Sequence, residues 1–206
     1  MIKSKIDYKR IIRLEEDNYR RSYPYFTREL ENILLFQKLY RKCEYYKNCR
    51  NDFLGRIIYK FINYKFEKLS FKYCFHIPIN VIDEGFCIVH IGPIYINENA
   101  KIGKNFRIHP MTTIGKSIGR NLKSPTIGNG VWVGPGARIY GDISIGDNVV
   151  IGTNSVVGRD VPSNVTVGGV PSKIINNKGY RDYFEKNRSA WCISILVIAC
   201  YSKVWF

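Results

Sequence analysis

Apolar residues over positions 1–70 recur at three- and four-residue spacing, the period of a helix face. Leu30, Ile33, Leu34, Phe36, Leu39, Tyr40 and Cys43 form one set, and Phe53, Ile57, Phe61 and Ile62 form another. Each set is expected to line one face of a helix. Pro24 separates the second helix from a first one around residues 5–19, because proline lacks the N–H that a helix interior needs. Lys47-Asn48-Cys49 is expected to turn the second helix into the third.

From residue 76 the period changes from about four to six. Ile96, Ile102, Ile108 and Ile114 fall on one register, followed by Ile127, Val133, Ile139, Ile145, Ile151 and Val157. Glycine follows at 103, 115, 128, 134, 146 and 152. Small or β-branched residues stand two places before the aliphatic one at Ala100, Val131, Ala137, Ile143, Val149 and Ser155. A six-residue unit of one short strand and one corner is the signature of a parallel β-helix. Three units make a coil, and stacking supplies the apolar core that a single coil cannot bury. Gly, Asn and Asp suit corners that need left-handed backbone. The expected organisation is a helical segment over 1–75, a hexapeptide-repeat β-helix over 76–175 and a tail over 176–206.

Ile114 and Ile127 are separated by 13 residues rather than 6 or 12. Residues 116–124 are therefore expected to leave the coil as a loop, and such loops tend to mark the functional face of a solenoid. The tail holds an apolar run, Trp191 to Cys200, too short to span a bilayer. Docking onto the protein is the expected fate of that run, with an interfacial membrane contact as the alternative.

Charge is uneven. The chain carries a net +15, and residues 1–75 hold 18 Lys+Arg against 9 Asp+Glu. A basic helical segment reads first as a solvated face and second as a surface attracted to an anionic lipid or glycan. No recognition helix, RNA-binding motif or zinc finger accompanies it, so nucleic acid is not an expected partner. Six cysteines occur without a CxxC pair, behind a charged N-terminus with no apolar leader. Reduced thiols in a cytoplasmic protein, with weak or no membrane association, are the expectation.

Histidine is scarce: His76, His90 and His109. His90 lies six residues before Ile96, on the interior register, where a polar residue breaks the packing rule. Ile108 lies 18 residues on and is expected to stack on it, which brings His109 alongside. Two imidazoles within one coil spacing would form an acid/base locus. A surface or end-coil position is the plainer alternative for each.

The stretch His90-Ile-Gly-Pro through Ala100-Lys-Ile-Gly103 is followed by Thr113-Ile-Gly115 and Ser124-Pro-Thr-Ile-Gly128. Val133-Gly-Pro-Gly-Ala-Arg-Ile139 and Gly168-Gly-Val-Pro-Ser-Lys-Ile-Ile175 complete it. Together these resemble the serine acetyltransferase group of the left-handed β-helix acyltransferases, in particular members used in capsule and exopolysaccharide synthesis. The resemblance covers about residues 76–175. It implies transfer of acetyl from acetyl-CoA to a hydroxyl, without an acyl-enzyme and without a metal. His90 matches the catalytic base, and His109 is carried as a second candidate beside it. Gly115, Pro135 and Thr153 match coils that contact CoA, and Lys173 is placed to meet a CoA phosphate, with an ordinary exposed lysine as the alternative. The resemblance also implies a homotrimer with CoA between neighbouring coils, with pairing of trimers through the N-terminal helices as a further level.

Three positions depart from the serine-specific pattern. Val89 stands where an Asp precedes the catalytic His, Ser124 where a second His precedes the proline, and Phe75 where an orienting Asp lies upstream. Asp83 and Glu84 are the expected substitutes for the orienter. The loss of acceptor-binding groups points to a sugar hydroxyl rather than L-serine, which remains the alternative in a role in cysteine biosynthesis. A zinc lyase would need three imidazoles at fixed spacing, which the histidine positions do not supply. A non-catalytic β-helix scaffold is the rival of another class.

Overall fold

The computed structural model describes residues 1–22, 27–118 and 123–184. Three helices lead: α1 (Lys5–Ser22), α2 (Arg28–Cys49) and α3 (Phe53–Tyr73). Thr27 caps α2 by accepting from the Leu30 N–H, and Asp52 caps α3 by accepting from the Gly55 N–H. Both side chains satisfy backbone donors that have no intrahelical partner. Cys74 ends α3 in a left-handed conformation, φ 58°, and turns the chain into the first coil.

The repeats form a three-faced parallel β-helix of the left-handed class. The first face stacks Phe75–His76, Ile94–Ile96, Thr112–Gly115, Arg138–Tyr140 and Val156–Val157. The second stacks Lys101–Ile102, Thr126–Ile127 and Ser144–Ile145. The third stacks Cys87–Ile88, Arg107–Ile108, Trp132–Val133, Val150–Ile151 and Thr166–Gly168. Lys173–Asn176 runs back antiparallel on the last of these strands, which pairs an edge that would otherwise be open. The register aliphatics from Ile96 to Val157 are all buried, as are Ala100, Val131, Ala137, Ile143, Val149 and Ser155. Asn105, Asn148, Asn154 and Asn164 adopt positive φ at corners, the conformation that asparagine tolerates better than most residues.

Coil length varies where the chain does something other than stack. Val133 pairs with Ile151, an offset of 18. Ile108 pairs with Val133, an offset of 25, so the segment between Gly115 and Thr126 is seven residues longer than a regular coil requires. Ile88 pairs with Ile108, an offset of 20, while Ile96 pairs with Ile114, an offset of 18. Two extra residues therefore sit in the corner between Ile88 and Ile94. This corrects the register expected for His90: Ile88, not His90, is the interior residue under Ile108.

α1 and α2 close the open end of the solenoid. An unfinished coil presents backbone groups with no next strand to pair with, and helix side chains take that place. Gln37 donates to the Phe86 carbonyl at 2.7 Å, and the Tyr40 hydroxyl donates to the Pro78 carbonyl at 3.2 Å. The Tyr19 hydroxyl receives the Ile88 N–H and meets the Ile88 carbonyl, both at 2.7 Å. Arg41, fully buried, donates to the carbonyls of Ile82 and Asp83 and pairs with Glu15 and Glu44. Burial pushes the Glu15 carboxyl upward against the pull of Arg41.

The second apolar set of the sequence does not share one face as expected: Ile62 turns inward and Phe53, Ile57 and Phe61 are exposed. Ile62 and Phe66 are buried, together with Gly55 and Tyr73, whereas Phe53 and Phe61 point away from the protein. Gly55 is required at the start of α3, since a Cβ there would meet the Arg50 carbonyl oxygen at 2.7 Å.

Candidate active site

The corner between the third and first faces carries the candidate chemistry. In successive coils it contains His90, then His109 and Pro110, then Pro135 and Gly136, then Thr153 and Asn154. Backbone bonds tie the column together: Gly136 N–H donates to Pro110 O at 3.1 Å and Asn154 N–H to Pro135 O at 2.9 Å. Five residues, 89–93, make the turn in the coil of His90, and three, 109–111, make it in the coil of His109. Gly92 permits the wider turn to lie on the next coil, since a Cβ there would meet Pro110 Cβ at 2.8 Å.

The wide turn lifts His90 to the surface, where its side chain is 40% exposed. Glu29, in the first turn of α2, accepts the Ile91 N–H at 2.8 Å, and the same oxygen lies 3.5 Å from His90 Nδ1. This carboxylate is the one at the imidazole, which corrects the expectation for Asp83 and Glu84. Asp83 pairs with the amino group of Met1 at 2.8 Å. Glu84 is engaged by Arg10 and by Lys104, the latter at 3.0 Å. With a carboxylate beside Nδ1, the proton of a neutral imidazole is favoured on Nδ1, leaving Nε2 as the acceptor.

His109 occupies the next coil of the same corner in a different setting. Its Nδ1 lies 2.8 Å from the Val133 carbonyl oxygen, which can only accept, so Nδ1 carries the proton. Its ring packs at 4.6 Å and 60° against Trp132. Burial lowers its pKa to about 4, and the charges of Arg107 and His90 act in the same direction. His109 is therefore a neutral imidazole near pH 7.

Gly115 stands apart from this column. It ends a strand of the first face, where the chain leaves for the loop, and space for a Cβ is open there. Pro135 and the exposed Thr153 lie on the His109 column, and Lys173 is exposed at the start of the returning strand. The loop is anchored at its described ends: Ser117 N–H donates to Lys123 O at 3.0 Å, Lys123 pairs with Asp142 at 2.9 Å, and the Ser124 hydroxyl donates to Asn97 Oδ1 at 2.8 Å. Val89, Ser124 and Phe75, the three departures, are all buried.

Beside the corner, a groove of about 180 Å³ on the first face is lined by Pro93, Tyr95, Met111, Thr113 and Arg138, among others. His76 stacks on Tyr95 there at 4.6 Å and 7°, so it is not part of the His90 corner. Arg138 donates to the carbonyl of Met111 and to that of Gly136, the latter at 3.1 Å, and Met111 has a φ of +63°. Among the described residues, no group of three or more His, Cys, Asp or Glu could hold a metal ion. Cys43, Cys49, Cys74 and Cys87 are free thiols. No helix among the described residues is long and apolar enough to cross a membrane. The run Trp191 to Cys200 lies outside the described residues.

Comparison with known proteins agrees with this architecture. The family described as bacterial transferase hexapeptide (six repeats) matches residues 124–159. Fold and repeat together define the chain as a left-handed β-helix of the hexapeptide-repeat class. Within that class its similarity is to serine acetyltransferases. The serine acetyltransferase of Synechococcus elongatus is 42% identical over 103 residues, covering 48% of this chain and 41% of that protein. The one from Buchnera aphidicola is 36% identical over 114 residues, covering 54% and 41%. The chain thus spans about two fifths of the length of these relatives. Among solved structures, serine acetyltransferase from Brucella abortus superposes with a TM-score of 0.65 at 25% identity, covering 85% of this chain and 72% of that one. The Neisseria gonorrhoeae serine acetyltransferase in complex with serine gives 0.64 at 24% identity, covering 84% and 71%.

Proposed function

We propose that this chain is an O-acetyltransferase that uses acetyl-CoA, with His90 as its general base. The observation that carries the reading is the widened corner at residues 89–93, which presents an imidazole to solvent with a carboxylate behind it. In this reading Glu29 fixes the Nδ1–H tautomer, and Nε2 takes the proton of the acceptor hydroxyl as its oxygen attacks the thioester carbonyl. Collapse of the tetrahedral adduct breaks the C–S bond, and the thiolate of CoA receives the proton from His90. Pro135 and Thr153 lie further along the same corner, where a long thin co-substrate could follow the column. Gly115 and Lys173 would contact it from the neighbouring corner and the returning strand. A trimer, in which a second copy completes the cleft, is part of the reading, as is the division at residues 75/76 and 175/176.

The relatives' names favour L-serine as the acceptor over the saccharide that the sequence suggested, and serine O-acetylation is the first activity to test. A sugar hydroxyl is kept as a second reading for one reason. A site for serine must pair an ammonium and a carboxylate, since an unpaired desolvated charge is costly, and the positions matching the relatives' charged groups hold Val89 and Ser124 here. Release of CoA thiol should be followed with L-serine and, in parallel, with nucleotide sugars and glycans. Turnover with serine selects the first reading, and turnover only with glycans selects the second. Failure of acetyl-CoA to bind in a calorimeter would reject both in favour of a scaffold.

A further inference from the structure

Helix α3 buries one face and leaves the opposite one uncovered. Gly55, Ile62, Phe66 and Tyr73 face the protein. At about 100° per residue, Phe53, Leu54, Ile57, Phe61, Tyr64 and Phe71 share roughly 100° of arc on the other side. All six are exposed, Phe53 at 82% and Phe71 at 89%. Isolated exposed apolar residues need no explanation, but six along one helix face, interrupted by Lys68, do. Arg56, Lys60, Lys65, Lys68 and Lys72 are exposed along the same helix, with Glu67 as its one acid.

We infer that α3 is a membrane-surface element that lays this stripe into the headgroup region of an anionic bilayer. Phenylalanine, leucine and isoleucine on one face with lysine and arginine beside them is the composition of an interfacial helix. The long lysine stems can keep their ammonium groups at the phosphates while the rings go deeper. Charge argues against the obvious competitor, a second copy of the chain. Two α3 stripes packed face to face would bring Lys65, Lys68 and Lys72 of one helix, which lie within or beside the arc, against those of the other. The helix is too polar to cross the membrane, so it would lie in the surface plane. The inference is independent of the acetyl-transfer reading.

The test is co-sedimentation of the full chain with vesicles of phosphatidylcholine and with vesicles in which phosphatidylglycerol replaces part of it. Binding is expected on the anionic vesicles only, weakening with salt. Lys65→Gln with Lys68→Gln should weaken it roughly thirtyfold, the worth of two cations near an anionic surface. Phe61→Ser with Phe71→Ser should weaken it at least about tenfold, and both residues are exposed enough that folding should survive, as circular dichroism would show. The apolar run Trp191 to Cys200 is present in every variant. Anionic-vesicle binding that is unchanged by the phenylalanine substitutions would therefore overturn the inference. So would equal binding to neutral vesicles, or a stable oligomer that the phenylalanine pair dissociates.

Discussion

The corner at residues 89–93 and the corner at residues 109–111 lie one coil apart, and each carries a histidine. The wider turn raises His90 into solvent beside Glu29, while the tighter turn holds His109 against Trp132 and the Val133 carbonyl. One imidazole is open to solvent, with a carboxylate 3.5 Å from its Nδ1. The other is kept neutral by burial and serves as a hydrogen-bonded part of the wall. Two added residues in a solenoid corner thus suffice to place the same side chain in two different environments. The contrast also explains why the helices matter to the site. Glu29 belongs to α2, and α2 is fixed to the first coil by Gln37, Tyr40 and Arg41.

The comparison can be broken most directly at His90. His90→Ala should lower turnover about 10²- to 10⁴-fold, the usual worth of a positioned base, with acetyl-CoA binding little changed. Equal and small effects of His90→Ala and His109→Ala in steady-state assays would mean that the site lies elsewhere.

Second in size is the acid sensitivity that His109 gives the fold. Its pKa is lowered in the folded protein to about 4 from the ordinary 6.5. The unfolded chain therefore takes up the proton first as pH falls. The contribution of the neutral ring is fully present above pH 6.5 and is lost between there and about 4, on the order of 3 kcal/mol in all. Urea unfolding across that window should show the loss, and His109→Gln should flatten it. An unchanged slope in the variant would sink the assignment.

Smaller again is the effect of Glu29. Glu29→Gln keeps the acceptor for the Ile91 N–H but removes the charge behind the imidazole. Turnover should fall roughly tenfold, less than for a buried triad carboxylate because solvent screens this one. Thermal unfolding should be little changed, whereas a purely structural role would lower the Tm along with turnover. Smallest is His109→Ala on turnover itself, expected within about threefold if the ring is only wall, with the geometric loss read in thermal stability instead.

How legible these features were depended on how local their causes are. The ten aliphatics from Ile96 to Val157 are spaced by the coil itself, so the register, the six-residue unit and the loop after Gly115 could be read directly. Extending that register backwards to His90 failed, because eight residues rather than six separate Ile88 from Ile96, and no periodic signal marks a corner that has been widened. In α3 the helix period was visible, but both faces are apolar, and periodicity alone does not tell which one the protein covers.

The amino-acid sequence alone determined the solenoid, because each aliphatic residue packs on its counterpart one coil away and the pattern that permits this is written in fixed steps. It also determined the candidates, since only three histidines exist. Only the tertiary structure decided which histidine meets solvent and which carboxylate stands behind it. Glu29 and His90 are brought together by the docking of α2 on the open end of the β-helix, which pairs the unsatisfied backbone of the first coil. That requirement comes from the end of a stack, and no local spacing in the chain records it.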